Sequence, residues 1–108
     1  MRQAIYKLGG HTFGLSRIRY GIHSEETIDF MADLHYDGKV IAKVSNDGHG
    51  AATDYYPYPG VDMDVFRKVS EDVRRFVWIE CKDGTKFYHN LGTIADECLY
   101  NSIRDSIR

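Results

Sequence analysis

The stretch "TIDFMADLHYDGKVIAKVSND", residues 27–47, decides the fold. Ile28, Phe30, Ala32 and Leu34 fall on one side of a period-two repeat. Asp29, Met31, Asp33 and His35 fall on the other. That alternation is a strand with one buried face. Asp37-Gly38 follows it, a strong hairpin signal. Two registers compete. A two-residue loop at Asp37-Gly38 sets Leu34 opposite Ile41 and Ala32 opposite Lys43, which mixes lysine into the apolar face. A three-residue loop, Tyr36-Asp37-Gly38, pairs Leu34 with Val40, Ala32 with Ala42 and Phe30 with Val44. A one-residue slip turns every side chain to the other face, so the all-apolar register is expected. It also seats Gly38 at the left-handed position of a G1 bulge.

The unit recurs in "FVWIECKDGTKFYHN", residues 76–90. With Lys82-Asp83-Gly84 as the loop, Glu80 faces Lys86, Trp78 faces Tyr88, and Ile79 meets Phe87 on the opposite side. Each hairpin leads into a helical pattern. In "VDMDVFRKVSEDVRRF", residues 61–76, Val65, Phe66, Val69, Val73 and Phe76 make a stripe. Asp64–Lys68 and Glu71–Arg75 have the favourable i,i+4 order. In "TIADECLYNSIRDSIR", residues 93–108, Ile94, Cys98, Leu99, Ser102 and Ile103 point inward and Thr93 reads as the N-cap. Upstream, "FGLSRIRYGIH", residues 13–23, supplies a further strand, with Leu15, Arg17 and Arg19 on one face and Ile18, Tyr20 and Ile22 on the other. The expectation is a single α+β domain over residues 1–108. Its antiparallel sheet has four to six strands, with two helices packed on one face, in ββα-ββα order.

Composition narrows the function. With 43% hydrophobic and 28% charged residues, the 108-residue chain suits one domain with one modest core. A net charge of −2 argues against a protein that holds nucleic acid by bulk electrostatics. No apolar run approaches the ~20 residues of a membrane span, and the start "MRQAIYKLGG" lacks the apolar stretch of a signal peptide. A cytoplasmic protein is expected, with Cys81 and Cys98 free and buried.

The stretch "VSNDGHGAATDYYPYPG", residues 44–60, is the candidate site. Its turn formers describe a long connection, but Tyr55, Tyr56 and Tyr58 exceed what a solvated loop needs. Tyrosine gives rigid contact surface at low entropic cost. The expected partner-binding residues are therefore Asn46, Asp47, His49, Tyr55, Tyr56 and Tyr58. "NDGHG" lacks the Lys and Ser/Thr of a phosphate loop. His11, His23, His35, His49 and His89 form no metal-ligand spacing, and the cluster His49, Asp47 and Asp54 reads first as turn chemistry. No cofactor, metal or catalytic residue is expected. Arg17, Arg19, Arg74 and Arg75, beside Tyr20 and Trp78, give an alternative nucleic-acid platform.

The segment "FMADLHYDGKVIAKVSNDGHGAA", residues 30–52, resembles small proteins of phages, prophages and other mobile elements. Their pattern is an aromatic, a small residue, a strand, Asp-Gly-Lys, a strand and Asn-x-Gly-x-Gly-Gly. It is matched here by Phe30, Ala32, Asp37, Gly38, Lys39, Asn46, Gly48 and Gly50, and departs at Ala51, where glycine is usual. The resemblance covers about a quarter of the chain and carries over no catalytic residue. It implies a setting, a short accessory gene in a bacterial host. Proteins of that setting often block host defence by occupying a surface of a larger complex, anti-CRISPR proteins among them. The expectation is a non-enzymatic, stoichiometric inhibitor of a host protein complex such as a CRISPR effector. The alternatives are a small nucleic-acid-binding protein, or a small enzyme or ligand-binding domain at His49, Asp47 and Asp54. Bare strand edges also leave a homodimer open.

Overall fold

The computed structural model describes residues 4–106. Its elements run β1 (Ile5–Leu8), β2 (His11–Tyr20), β3 (Phe30–Tyr36), β4 (Lys39–Asn46), β5 (Asp54–Pro57), α1 (Met63–Val73), β6 (Val77–Glu80), β7 (Lys86–Tyr88) and α2 (Leu91–Ser106). The chain is an α+β protein. Five antiparallel strands make one sheet in the order β1-β2-β3-β4-β5, and β6-β7 form a separate ribbon. Both helices pack on the sheet. The core between them holds Phe13, Leu34, Ile41 and Val44 from the strands, Val69 and Val73 from α1, and Leu91, Ile94, Cys98 and Leu99 from α2. Burying each large side chain contributes about 1.5–3 kcal/mol. No helix among the described residues is long and apolar enough to cross a membrane.

The first hairpin overturns the expected three-residue-loop register, in which Leu34 would have faced Val40. Near the turn it follows the two-residue loop: Tyr36 pairs with Lys39 and His35 with Val40. Asp37 and Gly38 both have positive φ, 47° and 88°, as a type I′ turn requires. The register then shifts, so that Leu34 pairs with Ala42 and Ala32 with Val44. Ile41 is the extra residue, and Ile41 and Ala42 are both buried. The bulge lets the chain keep the tight turn and still bring apolar residues together beyond it. The Asp37 carboxylate accepts hydrogen bonds from the Thr12 amide at 2.9 Å and from His11 Nδ1 at 2.7 Å. The Thr12 bond first, then His11, hold that carboxyl below its usual range.

A second bulge corrects the faces expected for β2. Leu15 pairs with Leu34 and Ser16 with Asp33, then the register shifts and Arg19 pairs with Met31. Arg17 and Ile18 together oppose one residue, and Arg17 has φ 54°. Leu15 and Arg19 therefore lie on opposite faces. Ile18 turns inward against the core, which is the physical reason for the shift.

The ribbon pairs Glu80 with Lys86 and Ile79 with Phe87. Tyr88, however, pairs with Val77, because Trp78 is the bulged residue and its Nε1 donates to Glu97 Oε1 at 2.9 Å. The stripe of α1 is narrower than expected. Val69 and Val73 are buried, but Val65 and Phe76 are exposed, and Asp64 pairs with Arg67 at 3.6 Å. Helix α2 starts a turn earlier than expected. Asn90 caps it, its Oδ1 accepting from the Thr93 amide at 2.9 Å while Thr93 Oγ accepts from the Asn90 amide at 2.9 Å. That reciprocal pair is a capping box with Thr93 as its inner member. Cys98 is buried and its thiol is pushed up to about 12 by desolvation, but Cys81 is exposed at the ribbon loop.

Candidate interaction surface on the open sheet face

Residues 44–60 do not form one long protruding connection. Asp54–Pro57 is the edge strand β5, with Ser45 opposite Asp54, Val44 opposite Tyr55 and Lys43 opposite Tyr56. Pro57 lacks an N–H and is tolerated because the strand is at the edge. Alternation then divides the tyrosines. Tyr55 packs against the core on the helix side, and its hydroxyl accepts from Arg74 Nη2 at 3.3 Å. Tyr56 is 59% exposed and lies on the opposite face beside Tyr58.

On that opposite face Arg19, Met31, Lys43, Asp54 and Tyr56 are exposed, and both helices pack on the other side. Across it run two rows set by strand register: Arg19, Met31, Ser45 and Asp54, then Ser16, Asp33, Lys43 and Tyr56. The Lys43 ammonium stands 5.8 Å from the centre of the Tyr58 ring, a cation–π distance. Asp33 is nearly buried, and its carboxylate is 3.9 Å from Arg17 Nε. Arg17, Arg19, Lys43, Tyr56 and Tyr58 wall a groove of about 350 Å³. A second groove of about 400 Å³ continues from it through Arg19, Met31 and Ser45 toward Asp29, Asp47 and Asp54. The trough is thus basic and aromatic at one end and acidic at the other. Beside it, Ser16 Oγ and His35 Nε2 share a hydrogen bond.

The bulge in β2 makes this face. Strict alternation after Ser16 would send Arg19 to the helix side and Ile18 to the open side. One extra residue reverses both. Arg17 holds a left-handed backbone that costs an L-residue about 1–2 kcal/mol. Bulges of this kind re-aim side chains beside functional sites.

The other sequence candidates are distributed differently. Asn46 is buried and bonded entirely within the chain. Its Oδ1 accepts from Thr27 Oγ at 2.6 Å and the Gly48 amide at 2.9 Å, and its Nδ2 donates to the Ala51 carbonyl at 2.9 Å and Thr53 Oγ at 3.2 Å. It fastens the 47–53 loop to the β2–β3 loop. The Gly48 carbonyl receives the Glu25 and Glu26 amides there, both at 3.1 Å. Asp47 is exposed and its Oδ1 accepts from the His49 amide at 3.1 Å. His49 Nδ1 lies 3.7 Å from Glu25 Oε2, away from Asp54. Among the described residues no group of three or more His, Cys, Asp or Glu side chains is placed to hold a metal ion. Arg74 and Arg75 end α1 on the helix side, so the four arginines do not form one platform with Arg17 and Arg19.

Sequence reasoning missed Met31, Lys43 and Ser45 as members of the surface. The signal was available in the polar side of the β3 and β4 alternation, but which face the helices would cover was not. No protein-family model, curated protein or solved structure matches the chain.

Proposed function

We propose that the chain is a non-enzymatic binding protein that grips another protein with its open sheet face. One observation carries this reading: the β2 bulge turns Arg17 and Arg19 out beside Tyr56 and Tyr58, on the face the helices leave bare. Tyr, Arg and Met are the residue types enriched at the centres of protein interfaces. The charge pattern favours a protein over a nucleic-acid strand. A phosphate backbone would gain from Arg17, Arg19 and Lys43 but would be repelled along Asp47 and Asp54. A protein surface can place carboxylates over the first group and cations over the second. The resemblance of residues 30–52 to mobile-element proteins supplies the candidate partner, a defence complex of a bacterial host such as a CRISPR effector, blocked by stoichiometric occupation.

The test compares the wild type with Tyr56→Ala and Arg19→Glu. Each side chain projects from a sheet whose pairing does not depend on it, so circular dichroism should be unchanged. Capture of a host protein should weaken at least ~30-fold for either variant, the cost of about 2 kcal/mol at an interface centre. Full capture by both variants would refute the surface. A gel shift with a single-stranded oligonucleotide, falling steeply as salt rises, would replace the protein reading with the nucleic-acid one.

A further inference from the structure

The ribbon β6-β7 is unfinished as a sheet. It has two strands, and among the described residues no further strand pairs with either outer edge. A two-stranded ribbon is marginal on its own in water. This one is moored to α2 by the Trp78–Glu97 hydrogen bond, and its base is closed by the His89 amide donating to the Phe76 carbonyl at 3.0 Å. Its remaining apolar residues face solvent on both sides. Ile79 and Phe87 are 44% and 53% exposed on one face, and Val77 and Tyr88 are 43% and 51% exposed on the other. A ribbon wetted on both faces does not justify so much apolar surface.

The edge of β7 is self-complementary. An antiparallel pairing of two β7 strands about a two-fold axis through Phe87 sets Phe87 against Phe87, an aromatic cross-strand pair. It also sets each Lys86 against the Tyr88 of the other copy, ammonium against aromatic ring, with no like charges directly opposite. The edge of β6 offers less. Centred on Ile79 it would oppose Trp78 to Glu80, and centred on Trp78 the axis would fall on the bulged residue, whose indole is already tied to Glu97. Net charge is only −2, so two copies repel weakly. We propose that a second copy of this chain docks on β7, joining the ribbons into one four-stranded sheet of order β6-β7-β7-β6. The surface is separate from the open face of the five-stranded sheet, so the dimer would present two binding faces.

Light scattering coupled to size exclusion at submillimolar concentration tests this on the intact protein. The expected mass is twice 12.4 kDa, falling to 12.4 kDa for Phe87→Glu, which opposes two carboxylates on the axis. Phe87→Cys in a Cys81→Ser background keeps the test independent of how the first variant folds. Mild oxidation should link two chains through position 87, because directly opposed Cα atoms in an antiparallel pair fall within disulfide reach. A wild type that stays at 12.4 kDa overturns the proposal. So does a dimer that Phe87→Glu leaves intact and Phe87→Cys does not crosslink.

Discussion

Replacing Asn46 by Ala should cost the fold about 2–4 kcal/mol. The side chain makes four hydrogen bonds inside the protein, and each contributes about 1 kcal/mol net. The four bonds sum to about 4 kcal/mol. The floor comes from what is stranded. Gly48 is buried and its amide loses its acceptor, and the Ala51 carbonyl loses a donor. One such buried group costs about 1–3 kcal/mol. For a domain of this size the loss lowers Tm by roughly 10–25 °C. Urea titration followed by circular dichroism and by Trp78 fluorescence measures it. Asp47→Ala is the control, since its carboxylate caps only an exposed loop amide, and its cost should stay below about 1 kcal/mol. Asn46→Asp sharpens the test. It keeps both acceptor contacts but turns a carboxylate toward the Ala51 carbonyl, so its stability should recover as pH falls and the carboxyl protonates. If Asn46→Ala cost less than about 1 kcal/mol while abolishing partner capture, Asn46 would be a contact residue and the buried-hub account would be refuted.

Further outcomes follow from single positions. Gly48→Ala should be severely destabilising, because φ is +85° and an added Cβ would lie 2.1 Å from the His23 carbonyl oxygen; Gly38→Ala, at φ +88° with open space around it, should cost only about 1–2 kcal/mol, and thermal melts rank the two. His89 is 1% exposed, and the Thr93 hydroxyl proton is committed to the Asn90 carbonyl, so His89 Nδ1 donates to Thr93 Oγ and Nε2 accepts from the Tyr6 hydroxyl at 3.1 Å. Burial lowers its pKa, with Glu97 partly opposing, so the folded state holds the neutral ring. The unfolded chain then binds the extra proton: stability is full above about pH 6.5, falls as pH drops below it, and levels off beneath the lowered folded value. His89→Gln should flatten that slope in denaturant melts across pH, and an unchanged slope would assign it elsewhere. With a thiol reagent, Cys81 should react at once in the native protein and Cys98 only on unfolding, since Cys98 is buried and its thiol is held up near 12. Immediate reaction of both would contradict the packing of α2.

The sequence determined what depends on neighbours along the chain. Period-two alternation named the buried side of β3, Asp-Gly marked two hairpins, and the 3.6-residue stripes placed α1 and most of α2. Local chemistry also set the second turn, where Lys82-Asp83-Gly84 closes as expected and Gly84 has φ +91°. The tertiary structure decided what depends on contacts far apart in the chain. Whether Ile41 or Ile18 would be bulged was settled by which apolar atoms could reach the core beneath the helices, and no window of sequence contains those atoms. The same contacts made Asp54–Pro57 a strand, since an edge strand is defined by its neighbour, β4. They split Tyr55 from Tyr56, and Arg17 and Arg19 from Arg74 and Arg75. They turned Asn46 from a surface candidate into an interior fastening, because Thr27, which it needs, lies nineteen positions away in the sequence. Propensity and spacing wrote the elements of this protein; burial, which is a property of the whole chain at once, chose the face it shows.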